Sequence, residues 1–400
     1  MAPMLSADVL VVGAGPAGLH AARRLAEQGS SVLVLEEHPV IGEPVDCSGV
    51  IGIESFAELG LPQDPVLGHI SVLRLFSPGG VPLAYRNGGP LAYVTERGRF
   101  DQALAAIAQA SGVRIETGVK VTELKVGPNC VEARGRRQSP GGNEEDRSTE
   151  TYQARAAVIA VGPQYSIQQF FGMGRPGQLL RTAQAEVAGN GFREATVFFG
   201  QRGGEFAWVL PFARGNQNFL RVGAAGGEAP GRELKAFLQG HLCRHLEETS
   251  LPVRHWVIPL RPLCRTYADR LVAVGDAAGQ VKPTSGGGIY YGMLCAEVAA
   301  EVLAQGLRRD DLGASFLRRY EKAWRGRIGA EIRAGRLFRR IFERMTAKDI
   351  DVIFRVLASD GVLEEVADEV RFDWHRGLIM AMLRHPRLSG LLVRKLLFRR

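Results

Sequence analysis

DVLVVGAGPAGLHAARRLAEQGSSVLVLEE, residues 8–37, contains the pattern that sets the fold class of this chain. Val9–Val12 is a continuous apolar run, which predicts a strand buried on both faces. Gly13, Gly15 and Gly18 follow as G-x-G-x-x-G, then a helical segment and a second apolar run. The order strand, glycine turn, helix, strand predicts a Rossmann-like α/β domain.

Each residue type in this unit suits a dinucleotide. The first glycine permits the tight turn, the second lets the backbone approach a pyrophosphate, and the third lets helix and strand pack closely. The helix points its first amides at the phosphates, and an acid at the end of the second strand is placed to accept from ribose hydroxyls. The predicted site comprises Gly13, Gly15, Pro16, Ala17, Gly18, Glu36 and Glu37. This motif alone does not distinguish an FAD site from an NAD site.

Composition is that of a globular protein, with 46% hydrophobic and 23% charged residues in 400. The five cysteines lie at positions 47, 130, 243, 264 and 295, without C-x-x-C spacing or an accompanying His cluster. That pattern indicates neither a zinc site nor a disulfide framework, and it favours a reducing compartment. We expect no metal, no signal peptide and no spanning helix, because a strand starts right after Asp8 and no long uncharged apolar run exists.

The net charge of +8 is concentrated near the end of the chain. Residues 306–400 hold 22 Lys and Arg against 13 Asp and Glu, and they are predicted to be helical. In the stretch 389–400, Leu392, Leu396 and Arg399 share one helical stripe, with Leu391 nearby. Such a stripe suits an anionic membrane surface or docking on its own domain. Nucleic acid is disfavoured, because aromatic interleaving and a reading motif are absent.

Two further stretches distinguish FAD from NAD. RLVAVGDAAGQVKPTSGGGIYYGMLCAEVAAEVL (270–303) and TERGRFDQALAAIA (95–108) together resemble the FAD-dependent oxidoreductases of the aromatic-hydroxylase superfamily. The resemblance implies that Asp276, after Gly275, holds the flavin ribityl hydroxyls and that Arg97 reaches the FAD phosphates. The loop residues Gly286, Gly287, Gly288 and Ile289 would bring backbone and a helix N-terminus against the flavin ring, stabilising the anionic reduced form.

One superfamily feature is missing. Hydroxylases of this group usually carry an Asp-Gly pair near the middle of the chain, where this sequence has Val161-Gly162. The missing acid weakens an NADPH-dependent hydroxylase interpretation.

Four stretches, in the same order along the chain, resemble the geranylgeranyl reductase family. They are GEPVDCSGVIG (42–52), EFAWVLPFARGNQNFLRVGAA (205–225), GQVKPTSGGGI (279–289) and the helical tract from Tyr320 to Phe354. The resemblance implies that reduced FAD saturates C=C bonds of isoprenoid chains on lipids, quinones or prenyl diphosphates. Hydride would reach one alkene carbon, and a nearby acid or water would protonate the other.

Substrate contacts and proton donors are assigned from the same stretches. Phe206, Trp208, Leu210 and Pro211 occupy the family's Tyr-x-Trp-x-Phe-Pro positions and are the predicted substrate contacts, with Tyr replaced by Phe and Phe by Leu. Cys47, in the first stretch, is expected beside the flavin, as a proton donor, an electron carrier or a shaping residue. Tyr290 and Tyr291 are two further candidate catalytic acids.

The predicted organisation has three parts. A discontinuous FAD-binding domain covers 1–65, 93–168 and 265–305, with a small antiparallel sheet at 113–160 and a polar hairpin loop at 134–150. An antiparallel β-sheet substrate domain covers 66–92 and 169–264, and a C-terminal helical segment covers 306–400.

The leading hypothesis is a prenyl reductase, cytoplasmic or peripheral at the inner face of a membrane. Its expected partners are a prenyl lipid or diphosphate and an electron donor, either NAD(P)H or a ferredoxin-like protein. Two alternatives stay open: an FAD-dependent monooxygenase and a non-catalytic flavin electron-transfer or lipid-carrier protein.

Overall fold

Gly13 makes the turn between β1 (Leu5–Val12) and α1 (Pro16–Glu27). Its φ is 105°, and a Cβ there would lie 2.4 Å from the carbonyl oxygen of Ala160. At Gly18 a Cβ would lie 2.1 Å from the carbonyl oxygen of Gly13, so α1 packs directly on the turn. The first glycine of the motif thus permits the turn, and the third permits the close approach of helix to strand.

The structure is a computed structural model that describes residues 5–45, 47–86, 88–137, 148–242, 252–359, 362–363 and 370–397. Most of the predicted hairpin loop (138–147), Cys243 and Arg399 lie outside the described residues, as does the side chain of Leu396.

An eight-stranded sheet contains the glycine turn. Its main path runs β17 (Tyr267–Ala268), β18 (Leu271–Ala273), β11 (Thr149–Ile159), β1, β2 (Val32–Leu35) and β8 (Arg114–Glu116). Strands β18, β11, β1, β2 and β8 run parallel to one another. Their carboxyl ends therefore share one side of the sheet, called here the nucleotide edge, where ligands bind in open α/β sheets.

The same sheet has an antiparallel extension. β9 (Val119–Val126) pairs with β10 (Val131–Arg137), and β10 pairs with the first half of β11. Residues 113–160 therefore do contain antiparallel pairs, as predicted, but β11 also continues the parallel sheet through β1.

A seven-stranded sheet, called here the large sheet, packs beside the nucleotide edge. Its order is β16 (Arg254–Pro259), β12 (Leu179–Ala188), β15 (Gln217–Ala225), β14 (Phe206–Arg214), β13 (Ala195–Phe199), β5 (Val72–Phe76) and β6 (Pro82–Arg86). Neighbouring strands run antiparallel, except that β13 and β5 run parallel. The alternation of apolar and polar residues predicted this sheet.

A third sheet has three strands, β3 (Val50–Gly52), β7 (Ala92–Thr95) and β4 (Val66–Ile70). Residues 66–70 were expected in the large sheet, but they pair with β7 instead. Ile70 and Val94 pack with Leu210 and Phe212 of β14, so the small sheet covers one end of the large one.

The helices pack against the sheets and against one another. They are α1, α2 (Ile53–Leu59), α3 (Arg97–Ala110), α4 (Ser166–Phe170), α5 (Pro230–Phe237), α6 (Ile289–Arg309), α7 (Ala314–Phe342), α8 (Ala347–Leu357), α9 (Arg376–Arg384) and α10 (Pro386–Leu397). Helices α6 and α7 share one apolar core with β1 and α1. Within this core, Trp324 of α7 is 1% exposed, and its Nε1 donates to Thr266 Oγ1 at 2.9 Å. The helical character predicted for residues 306–400 is confirmed over α7–α10.

The apolar stripe of α10 faces the protein. Leu388 and Leu392 are buried in a cluster with residues of α7 and α8, and Lys395 Nζ lies 2.6 Å from Asp349 Oδ2. Over its described part, the C-terminal stripe is therefore docked on its own domain. Among the helices that the structure describes, none is long and apolar enough to cross a bilayer.

We predict that two glycine substitutions in the turn affect different properties, one the stability of the fold and the other the binding of FAD. Gly18→Ala should lower the free energy of unfolding by about 3 kcal/mol, because the new methyl overlaps backbone that cannot move alone. Gly15→Ala should change it by less than about 0.5 kcal/mol, since nothing lies within 4 Å of a Cβ there. The same Gly15→Ala change should weaken FAD binding more than about tenfold by filling the space of the pyrophosphate. Urea unfolding and FAD titration of the apoprotein measure the two effects, and equal stability of the two variants would contradict the close-packing role of Gly18.

Candidate active site

Glu36 closes the nucleotide turn from the end of β2. One carboxylate oxygen, Oε2, accepts from the backbone amide of Ala14 at 2.8 Å, and Oε1 accepts from the amide of His38 at 2.9 Å. Its position beside the glycine turn agrees with a role at the ribose. The carboxylate of Glu37 points elsewhere and accepts from Lys120 Nζ at 2.7 Å and Gln164 Nε2 at 2.8 Å. Both carboxylate oxygens of Glu37 therefore have side-chain partners away from the glycine turn.

Arg97, the first residue of α3, lies almost buried at the same edge. Its guanidinium donates to both carboxylate oxygens of Asp101, with Nη2–Oδ2 at 2.8 Å, and the two side chains are 12% and 7% exposed. Burial opposes the charge, but Asp101 and then Cys47 raise the pKa of Arg97 above its ordinary value. Arg97 is therefore a fixed cation beside Cys47, where a phosphate or a developing negative charge would be stabilised.

Asp276 follows β18 and lies against the start of α6. A Cβ on Gly288 would fall 2.6 Å from Asp276 Oδ1, so only glycine leaves room for this carboxylate. Burial raises the pKa of Asp276 to about 6, although the Arg97 charge opposes that rise. Gly275 has a φ of 65° and packs on Ala17 of α1, which joins the second glycine loop to the first.

These groups fit FAD in type and order. Open space at Gly15 and the N-terminus of α1 suit the pyrophosphate, Glu36 suits the adenosine ribose, and Asp276 suits the ribityl hydroxyls. Gly286–Gly288 then precede α6, whose first amides face the end of the site where the flavin ring would lie.

Cys47 lies on a loop that side chains of the large sheet hold in place. Its Sγ accepts from the amide of Gly49 at 3.4 Å, and its carbonyl oxygen accepts from Gln184 Nε2 at 3.2 Å. Arg221, which is 1% exposed, donates from Nη1 to the carbonyl oxygens of Ser48 at 2.6 Å and Thr95 at 3.1 Å. Two buried polar residues of the large sheet, Gln184 and Arg221, therefore fix the backbone carbonyls of Cys47 and of the residue after it.

Gln184 and Arg221 are site residues that the sequence motifs did not predict. Gln184 and Glu186 lie on the face of β12 opposite the apolar cluster of Ala183, Ala185 and Val187, and Glu186 accepts from Arg221 Nε at 2.7 Å. Polar residues at alternate positions of a buried strand are a usable signal, because buried polar groups require partners.

The large sheet presents an apolar face to the second glycine loop. Phe206 and Trp208 lie 6.0 Å apart between ring centroids, and Trp208 covers Gly223, where a Cβ would meet the indole at 2.0 Å. Leu180 and Ile258 belong to the same cluster, and both would contact a Cβ on Gly286, at 3.7 Å and 3.0 Å. This surface, called here the aromatic face, thus lies directly opposite the loop that resembles a flavin-ring loop.

Two other predicted substrate contacts lie further along β14. Leu210 is 6% exposed and packs in a cluster with Ile70 and Val94 of the three-stranded sheet, against which Trp208 also packs. Pro211 pairs with Leu220 of β15. Among the described residues, the contacts of Leu210 and Pro211 do not include the second glycine loop.

Tyr290 and Tyr291 are buried in the first turn of α6, at 4% and 2% exposure. The Tyr290 hydroxyl donates to Glu58, and the Tyr291 hydroxyl donates to the carbonyl oxygen of Asp373 at 3.0 Å. Burial, with the neighbouring carboxylates, raises the pKa of both phenols. Their protons are already engaged in structural hydrogen bonds, and this geometry disfavours them as catalytic acids.

Asp373, from the segment before α9, lies at the site, although no sequence motif predicted it there. Its Oδ1 lies 2.6 Å from Lys282 Nζ, and its Oδ2 accepts from the Ser55 hydroxyl. A Cβ on Gly52 would lie 2.0 Å from Oδ2, so the end of the Cys47 loop also packs on this carboxylate. Lys282 starts the second glycine loop, with its Cε 2.6 Å from a Cβ on Gly287. Asp373 therefore joins the two loops that flank the expected flavin ring.

Comparison with known proteins gives a consistent result. Residues 7–189 match the pyridine nucleotide-disulphide oxidoreductase family, and residues 193–358 match the lycopene cyclase protein family. A digeranylgeranylglycerophospholipid reductase of Methanopyrus kandleri is 33% identical over 90% of this chain and 93% of its own length. One from Methanothermobacter thermautotrophicus is 31% identical over 88% and 91%.

Solved structures share the fold at lower identity. A geranylgeranyl bacteriochlorophyll reductase-like protein from Thermoplasma acidophilum has a TM-score of 0.82 and 19% identity, covering 98% of this chain and 100% of its own. A p-nitrophenol 4-monooxygenase from Pseudomonas putida has a TM-score of 0.70 and 18% identity, over 94% and 99%.

We predict that FAD binding depends on the ionisation of Asp276. Ribityl hydroxyls donate to the ionised carboxylate, so the affinity of the apoprotein for FAD should fall as the pH drops below about 6. Asp276→Asn should bind FAD weakly at every pH, whereas the exposed Asp64→Asn should keep the wild-type profile. FAD titrations between pH 5 and pH 8 measure this, and a flat wild-type profile would contradict it.

The stability of the apoprotein should depend on pH in the opposite direction to the affinity for FAD. Because the folded-state pKa of Asp276 lies above the ordinary 3.8, the folded state binds the proton more tightly. The contribution of Asp276 to stability is therefore present at low pH and lost as the pH rises through about 6, which the wild-type and Asp276→Asn urea curves reveal by difference.

We predict that Asp373→Asn lowers the free energy of unfolding by about 3 kcal/mol, because it leaves the Lys282 charge buried without a counter-ion. The double variant Lys282→Met with Asp373→Asn should recover most of the loss. Glu123→Gln, in an exposed pair with Lys125, serves as the control and should cost less than about 0.5 kcal/mol. A single variant as stable as the control would show that the pair does not hold the loops together.

Proposed function

The chain belongs to the family of the digeranylgeranylglycerophospholipid reductases, and we propose that it saturates C=C bonds in the isoprenoid chains of a glycerophospholipid. The family membership confirms the resemblance found in the sequence. The observation that carries the proposal is the aromatic face, which lies opposite the glycine loop at Gly286. An isoprenoid chain needs such a dry apolar surface beside the flavin.

FAD is the cofactor, and when bound and reduced it supplies the hydride. The protein's part begins with Phe206, Trp208, Leu180 and Ile258, which would hold the chain and exclude water. Positioning of this kind is the main contribution available to a protein when the cofactor carries the hard chemistry.

A proton must reach the second alkene carbon, and we assign it to the Cys47 thiol. The Gly49 amide and the Gln184 amide fix the thiol loop, and the Arg97 guanidinium beside it would stabilise the negative charge left on Sγ. With hydride added to one carbon and the thiol proton to the other, the double bond becomes a single bond and the charges balance.

The source of electrons for FAD stays a prediction, either NAD(P)H or a ferredoxin-like protein. A second match to G-x-G-x-x-G, at residues 172–177, lies between α4 and β12 and leads into a strand. It therefore lacks the helix that a nucleotide turn requires.

Contact with a membrane surface also stays a prediction, supported by the bilayer origin of the proposed substrate. Co-sedimentation with anionic and neutral vesicles measures it, and absence from both pellets would count against it.

An anaerobic single-turnover experiment tests the proposed function. The flavin of the holoenzyme is reduced chemically, digeranylgeranylglycerophospholipid is added, and absorbance and lipid mass are followed. We expect flavin reoxidation with a gain of two hydrogens per reduced bond. No reoxidation by any isoprenoid compound would overturn the proposal, and oxygen-dependent hydroxylation with NAD(P)H would favour the monooxygenase alternative.

In the same assay we predict that Cys47→Ala keeps its FAD and loses at least about tenfold in the reduction rate, since general-acid catalysis typically contributes that much or more. Cys130→Ala, in the β9–β10 turn away from the site, should react as the wild type does. An unchanged rate for Cys47→Ala would remove the thiol from the mechanism.

A further inference from the structure

A cavity of about 490 Å³ opens between β12, the turn at Gly203–Glu205, the turn at Gly226–Glu228 and α7. Its wall changes in character from one end to the other. Leu180 and Leu260 line it and also belong to the aromatic face. The rest of the lining comprises Gln178, Leu179, four glycines, three arginines and three glutamates, so the cavity suits a molecule with one polar end and one apolar end.

Arg339 forms the buried polar wall of this cavity, with a side chain only 5% exposed. Its Nε donates to Glu343 Oε1 at 2.8 Å, and its Nη2 donates to the carbonyl oxygen of Gly204 at 3.1 Å. The third nitrogen, Nη1, is buried and has no acceptor among the described residues. A buried guanidinium N–H without an acceptor is costly, which points to an acceptor supplied by a ligand.

The acidic residues in the wall are already engaged or lie at the mouth. Glu343 also accepts from Gln178 Nε2 at 2.8 Å, and Glu205 accepts from the amide of Arg202 at 3.3 Å. Glu228 is exposed, as are the side chains of Arg181 and Arg202. The cation whose Nη1 lacks an acceptor is thus the buried one, and two further cations line the cavity with exposed side chains.

We propose that this cavity binds the phosphate of the glycerophospholipid substrate, with a phosphate oxygen accepting from Arg339 Nη1. The inference rests on the proposed function, and it selects phosphate-bearing lipids over quinones and other uncharged prenyl compounds. A fixed guanidinium prefers an anionic oxygen to a neutral hydroxyl. From the phosphate, the chains pass Leu180, which would also contact a Cβ on Gly286, and so reach the flavin loop directly.

A binding experiment tests the site without turnover. Dihexanoylphosphatidic acid and dihexanoylglycerol are titrated into the oxidised holoenzyme by calorimetry. The wild type should bind the phosphate compound at least about tenfold more tightly, the usual effect of one charge-assisted hydrogen bond. Arg339→Gln should lose this preference, and the exposed neighbour Arg340→Gln should keep it. Equal affinity of the two compounds for the wild type, or a preference unchanged in Arg339→Gln, would overturn the proposal.

Flavin content and thermal unfolding show whether Arg339→Gln is folded. If it is not, the double variant Arg181→Gln with Arg202→Gln replaces it, because both side chains are exposed and their loss should spare the fold. We expect this variant to lose part of the preference for the phosphate compound, and full retention would overturn the proposal.

A reduction experiment tests whether Arg339 recognises the phosphate of a glycerophospholipid or that of a prenyl diphosphate. It also distinguishes a failure of this inference from a failure of the proposed function. Digeranylgeranylglycerophospholipid, the same diether without phosphate and geranylgeranyl diphosphate are each given to the reduced holoenzyme. Faster reduction of the phospholipid, dependent on Arg339, supports the inference. Equal rates with the uncharged diether overturn it and leave the proposed function standing. Arg339-dependent reduction of the diphosphate alone overturns the glycerophospholipid assignment. If nothing is reduced but the calorimetric preference persists, the proposed function fails and the phosphate site stands.

Discussion

A buried positive charge at Arg97 constrains the arrangement of the nucleotide edge. Its guanidinium is bound by Asp101 on the same helix, lies beside Cys47 and acts on Asp276 across the site. The ion pair with Asp101 offsets a charge whose burial alone would cost several kcal/mol, and it fixes the guanidinium at the start of α3, beside the Cys47 loop and Asp276. Arg221 and Asp373 are also buried ionic groups. Each one holds a loop of the nucleotide domain from another part of the chain.

Three kinds of surface meet at Leu180. The second glycine loop would bring backbone close to the cofactor, the aromatic face provides an apolar wall, and the cavity at Arg339 provides a polar end. A lipid with a phosphate and isoprenoid chains has the matching order of properties. The proposed reaction therefore depends on the packing of the large sheet against the nucleotide edge, because the sheet supplies the apolar wall and also fixes Cys47 through Gln184.

Local patterns in the sequence were enough for the parts of the site that one segment builds alone. The glycine turn, Glu36, Arg97 and Asp276 each lie where a short motif predicts them. Asp373 and Ser55 are 318 residues apart, and Gln184 is 137 residues from Cys47, so no local spacing could reveal these contacts. The orientation of Tyr290 and Tyr291 depends on how α6 packs, and the partner of residues 66–70 depends on the tertiary position of β7. Tertiary packing decides both, and periodicity does not.

In the proposed binding mode, one lipid reaches from the cavity at Arg339 to the flavin. A crystal structure of the holoenzyme with oxidised FAD and digeranylgeranylglycerophospholipid would show this arrangement. We expect the phosphate against Arg339, a chain along Phe206 and Trp208, and an alkene carbon about 3.5 Å from the flavin N5. A lipid whose chains lie outside the aromatic face, or whose phosphate lies away from Arg339, would contradict it.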